Sequence, residues 1–127
     1  MLGYHNEMSY RNDPPRKADN KRRLFWTIYY FDKSNSLLLG HAPRIQDDEV
    51  DVQYPALSND PGLRPWEEIF HLIIQMAGYQ GQSYSKLYSP AAMKSDASSR
   101  AQVIQSLKAS MIQWRVDLAQ VCSCLQS

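Results

Sequence analysis

Between Asn20 and Pro43 the chain reads NKRRLFWTIYYFDKSNSLLLGHAP, in which three cations give way to an almost unbroken run of aromatic and aliphatic side chains. Wound as a helix at about 100° per residue, Leu24, Phe25, Trp26, Ile28, Tyr29, Tyr30 and Phe31 scatter round the whole circumference, and only Thr27 breaks the ring. A helix that is apolar on every side reads as a buried helix, because a surface helix keeps a single dry stripe. Base stacking would need the rings on one open platform. Asp19 stands four residues before Arg23, a favourable order for an ion pair on one face, and Gly40 followed by Pro43 supplies a stop signal. These signals predict a first helix over about residues 19–39, after an irregular lead-in over 1–18 that contains Pro14 and Pro15.

The stretch HAPRIQDDEVDVQYPALSNDPGL, from His41 to Leu63, is rich in proline and acid and has no helical period. It is read as a long irregular connection with extended pieces around Ile45, Val50 and Val52. Pro65 at a first helical position, with Glu67 and Glu68 in the first turn, predicts a second helix over about residues 65–88. Its dry face is Trp66, Ile69, Phe70, Ile73, Met76 and Ala77, continued by Tyr84 and Leu87. Gly78 and Gly81 inside it mark either a close helix approach or a break near Gln80. After a SPAAMKS linker comes a third helix over about residues 97–125, where Ile104, Leu107, Met111, Trp114, Leu118, Val121 and Leu125 alternate three and four apart. That seam needs a partner helix, from this chain or another. The implied fold class is all-α: a partial array of about three long helices joined by a long irregular loop, occupying residues 19–127. Two neighbours cannot enclose a helix that is apolar all round, so the chain is expected to self-associate or to be a slice of a larger helical domain, and the slice is preferred.

A chain of 127 residues has the length of one domain, and a net charge of +1 sets up no global field toward a polyanion. Nucleic-acid contact would have to be local, with Lys21, Arg22 and Arg23 as weak candidates. The competing reading is a solvated helix end in which Arg22 lies over Trp26. Cys122 and Cys124 form neither a zinc tetrad nor a disulfide framework, so they are expected to be free thiols in a reducing compartment, with no cofactor in this chain. The N-terminus lacks a signal-peptide core and no apolar run approaches membrane length, which predicts a soluble intracellular protein with no membrane contact. Asp47, Asp48, Glu49 and Asp51 lack the spacing of a calcium loop. His5, His41 and His71 are scattered, and no catalytic motif is visible. Asp32 falls among apolar neighbours on the first helix, where it is expected to cap loop amides or meet Arg44; an effector-sensing switch is the alternative.

LGYH, RRLFWTIYYFDKSNSLLLG, the IQDDEVDV loop ending in YP, and QGQSYSKLYSP ahead of a tryptophan-containing helix together resemble the fungal-specific transcription factor domain. This middle homology region belongs to the binuclear zinc cluster transcription factor family. Arg22, Arg23, Leu24, Phe25, Trp26, Asp32, Gly40, Ile45, Asp47 and Asp51 fall on the family's motif, mostly as structural positions. His41 stands where the family usually has arginine, and Asp48 where it has a bulkier residue. The resemblance implies a non-catalytic regulatory domain of a nuclear protein that controls transcription. Zinc and DNA would then be bound only by a cysteine-rich module that these residues lack, protein partners or self-association are expected, and an effector is left open. The alternative is a standalone helical adaptor or dimerisation protein using the 104–125 seam.

Overall fold

In the computed structural model, which describes residues 7–126, the first long helix, α1, spans Pro15–Leu39. It begins four residues before the expected Asp19, at the second of two consecutive prolines. Proline at the first helical position has its φ preset and lacks only an N–H that would be unpaired there anyway. The Ala18 N–H accordingly bonds the Pro14 carbonyl at 2.9 Å. The lead-in is shorter than expected and holds a 3-10 turn over Glu7–Tyr10. At the other end Gly40 stops the helix as anticipated, with φ +73° and its N–H on the Ser36 carbonyl, a conformation that strains residues bearing a Cβ. His5 and the rest of LGYH, and the side chains of Cys124 and Leu125, lie outside the described residues.

The second long helix, α2, spans Arg64–Ser83, with a proline and Glu67 in its first turn. It runs unbroken past Gln80. Its change of register comes later, as one π-helical turn over Tyr84–Tyr88 in what had been expected to be regular helix. Ser89 then caps a four-residue helix, α3, Pro90–Met93, its Oγ accepting from the Ala92 N–H at 3.1 Å. This element was read as linker because a single turn is too short to show a period. The last helix, α4, spans Ala97–Gln126. No strand occurs among the described residues; the backbone is extended at Gln46 and Val50, close to the pieces expected around Ile45 and Val50, and a 3-10 turn over Asp47–Glu49 lies between them.

Helix α2 lies between α1 and α4 and packs on both. Phe25, Trp26 and Tyr29 from α1, Ile74 and Ala77 from α2, and Ile45 from the loop form the buried cluster. On the other side of α2, Leu107 is buried and Trp114 Nε1 donates to the Leu72 carbonyl at 2.6 Å. The heptad seam of α4 therefore finds its partner within the same chain: Met111, Trp114, Leu118 and Val121 are half-buried, although Ile104, expected in the seam, stays 49% exposed.

The expectation that α1 is dry on every side is wrong. Leu24, Ile28 and Phe31 remain 51%, 42% and 57% exposed. Helix α2, the loop and, near its N-terminal end, the lead-in pack on this helix, and neighbours on one side cover part of a cylinder whatever the chemistry of the remainder. Trp66 and Ile73, placed by periodicity on the dry face of α2, are exposed for the same reason. Where α1 and α2 do meet they meet closely, since a Cβ on Gly81 would lie 2.8 Å from Lys33 Cδ.

Candidate functional site: an acidic loop strapped to two helices

Residues 41–63 contain little regular structure, so their backbone groups must find partners elsewhere. Helix side chains provide them. Both oxygens of Asp32 accept from loop amides, Oδ1 from the Arg44 N–H and Oδ2 from the Ile45 N–H, each at 2.9 Å, which is the capping role expected from the sequence. One turn further on, Ser36 Oγ donates to the His41 carbonyl at 2.5 Å. Trp26 Nε1 donates to the Gln53 carbonyl at 2.9 Å, and the Ala56 N–H donates to Asp19 Oδ1 at 2.8 Å. From α2, Glu67 accepts the Ser58 N–H at 3.0 Å, and the Pro55 carbonyl accepts from His71 Nε2 at 2.7 Å. The Tyr54 ring sits edge-on to both Trp26 and His71, 5.1 Å from each.

The centre of the strap is Lys33, which sequence reasoning missed. Only 2% of it is exposed. Its Nζ donates to the Ile45 carbonyl at 2.7 Å, lies 3.2 Å from Asp47 Oδ1 and stands 5.1 Å from the centroid of the Tyr29 ring. The Tyr29 hydroxyl donates to the same Asp47 oxygen at 2.8 Å. Burial, reinforced by the Asp47 carboxylate, pushes the Tyr29 phenol far above its ordinary range, so it remains a donor at every physiological pH. The signal that could have revealed Lys33 was its place beside Asp32 combined with Gly81, the one residue in α2 that leaves room for its stem.

The basic run turns inward. Lys21 bonds Asp13 at 2.8 Å, and Arg23 bonds both Asp19 and Glu67 at 3.0 Å. Arg22 donates twice to the Glu7 carboxylate and lies over the Tyr10 ring at 5.5 Å. It does not cover Trp26, which is turned into the core. The three weak candidates for nucleic-acid contact thus hold the lead-in and α2 to α1. The remaining motif positions split between roles: Phe25 and Ile45 are buried, Leu24 is exposed, and the exposed Asp51 contributes its carbonyl to the Glu7 N–H at 2.6 Å.

The Glu7–Arg22 pair makes the strap sensitive to acid. The hydrogen bonds from Arg22, helped by the Gln53 N–H, hold the Glu7 carboxyl below its ordinary 4.5 despite the opposing effect of burial. A depressed carboxyl contributes stability that is fully present above the ordinary value and is lost as pH falls through the lower, folded-state value. The melting-temperature gap between the natural chain and Glu7→Gln is therefore expected to be constant near neutrality and to shrink below 4.5. A gap unchanged from about pH 7 to about pH 3 would show that the pair does not act in this way.

Among the described residues, no group of His, Cys, Asp and Glu is placed to hold a metal ion, and Cys122 is a half-buried free thiol. A resident zinc ion thus has no fitting donor set there. No helix among them is long and apolar enough to cross a membrane.

The chain is 33% identical over 106 residues to an uncharacterized transcriptional regulatory protein of Schizosaccharomyces pombe, covering 76% of this chain and 14% of that protein. It is 27% identical over 124 residues to an ABC-transporter-regulating transcription factor of Aspergillus oryzae, covering 90% of this chain and again 14% of the relative. The chain thus spans about one seventh of the length of these relatives. No solved structure matches it significantly. The profile of the family described as fungal specific transcription factor domain matches residues 1–115, which include all of α1, the strapped loop, α2 and most of α4. The acidic loop held by Asp32, Lys33 and Trp26 is therefore a feature of a chain that belongs to the fungal specific transcription factor domain family.

Proposed function

We propose that this chain is a non-catalytic regulatory and interaction domain of a nuclear fungal transcription regulator, in which DNA and zinc are bound by a separate module. The observation that carries the reading, beside family membership, is the bare apolar stripe Leu24, Ile28 and Phe31 on a helix whose opposite side is buried. Exposed apolar side chains grouped on one face mark surfaces that other elements cover. Lys21, Arg22 and Arg23 support placing the DNA contact elsewhere, because internal acids already engage them. The alternative of a standalone dimer through the 104–125 seam is less favoured, since Leu107 and Trp114 face α2.

The test fuses residues 1–127 between a heterologous DNA-binding module and an activation segment and reads a reporter. Including the domain should change output severalfold. Replacing Leu24, Ile28 and Phe31 together by serine should restore the output of the fusion lacking it, with a melting temperature within a few degrees of the natural domain, as befits exposed positions. Reporter output indifferent to the domain, or to the triple substitution, would sink the reading.

A further inference from the structure

A second apolar surface lies away from the strap, where α4 passes the end of α2 and the π turn. There a groove of about 480 Å³ opens, lined on one side by Leu87 and on the other by Ile104, Met111 and Ile112, together with Lys108 and Arg115. Ile104 and Ile112 are 49% and 56% exposed, so the floor of the groove is wetted apolar surface and not a flaw in the core. No acidic residue lines it. Among the described residues neither cation enters a salt bridge, in contrast to Lys21, Arg22 and Arg23.

We infer that this groove is a docking site for an acidic amphipathic helix of a partner protein. The inference rests on the interaction-domain reading and adds to it the partner's chemistry. Three features of the partner follow. Its apolar side chains must recur at helical spacing to enter a groove whose own anchors lie on α4, the helix-in-groove mode of recognition. Its length is set by the run from Ile104 to Arg115, roughly 17 Å or three turns. Its charge is set by Lys108 and Arg115, seven residues and so about two turns apart, roughly 10 Å, which places both on the same face of α4, between Ile104 and Ile112 around the helix. Carboxylates at matching spacing would meet both cations, whereas a basic helix would bring like charges together. A second copy of this chain is a poorer fit, because its most acidic stretch, Asp47, Asp48, Glu49 and Asp51, lies on an irregular connection with a three-residue 3-10 turn and offers no helix of three turns.

The experiment measures fluorescence anisotropy of labelled synthetic helical peptides against residues 1–127. One peptide has leucines at helical spacing flanked by glutamates, and its counterpart has lysines in their place. The acidic peptide should bind in the micromolar range, weaken as salt is raised, and lose about tenfold or more in affinity on Lys108→Glu with Arg115→Glu. The same double variant should gain affinity for the lysine peptide, which also shows that the variant is folded. Ile112→Ser should weaken both peptides. The inference is overturned if neither peptide binds, if both bind the natural chain equally, or if charge reversal leaves affinities unchanged. Sedimentation showing a dimer that Ile112→Ser dissociates would overturn it too, by assigning the groove to a second copy. A reporter that still responds to the domain while the acidic peptide fails to bind would remove the groove and leave the interaction-domain reading standing.

Discussion

Phe25→Ala should cost about 3–5 kcal/mol, the range for truncating a buried phenylalanine, while Leu24→Ala next to it should cost about 1 kcal/mol or less. The two positions are adjacent and equally apolar. They differ in what covers them: Phe25 is 0% exposed and stacks edge-on with Trp26 at 5.0 Å, whereas Leu24 is 51% exposed. Domains of this size are stable by about 5–15 kcal/mol, so the first substitution removes a large part of the total. With an unfolding entropy of about 2.1 cal/mol/K per residue, the expected fall in melting temperature is roughly 10–20 °C for Phe25→Ala and only a few degrees for Leu24→Ala. Thermal melts of both variants decide the matter. Equal losses at the two positions would mean that α1 is enclosed on both sides in solution, by self-association or by a different packing of the chain.

The effects of substitutions at Lys33 and Gly81 should not add. Removing the ammonium by Lys33→Ala leaves the Ile45 carbonyl without its donor and takes away one of the two groups that Asp47 accepts. An orphaned buried acceptor costs about 1–3 kcal/mol, and the half-exposed Asp47 adds little because water can replace the lost partner. Gly81→Ala in the natural chain meets two opposed effects. Alanine gains about 1 kcal/mol of helix propensity over glycine, but its Cβ would stand 2.8 Å from Lys33 Cδ, and overpacking of this kind costs about 1–3 kcal/mol. Lys33 cannot swing aside, because its Nζ is fixed at 2.7 Å from the Ile45 carbonyl. The net result should be destabilising. In the Lys33→Ala background the obstruction is gone, and Gly81→Ala should stabilise by up to about 1 kcal/mol. Denaturant titration of the four proteins gives the cycle. A stabilising Gly81→Ala in the natural chain would show that the lysine stem does not occupy this contact.

The same pair shows why part of the site was not legible in the residues alone. A lysine on a helix reads as solvated, since its long stem and charge favour water. What buries Lys33 is a carbonyl twelve residues later in the chain, a carboxylate beyond it, and a glycine on another helix, none of which has a fixed spacing to Lys33. Asp32 was legible because its chemistry is one-sided: a carboxylate among apolar neighbours must find donors, and the nearest unpaired ones were the amides after Gly40. The misplacement of Arg22 over Trp26 came from applying helical spacing to a ring that the core had already claimed.

The residues by themselves were enough for three long helices, the stop at Gly40, the irregular acidic connection and the seam on α4, because period, proline and glycine act over one or two turns. They could not settle which side of a uniformly apolar helix is covered, since Leu24, Phe25, Ile28 and Tyr29 are equivalent until a neighbour arrives. Tertiary structure made that choice by laying α2 and the strapped loop on one half of α1 and leaving the other bare. Burial depends on the position of the partner as well as on the side chain, and that position is set by contacts far apart in the chain.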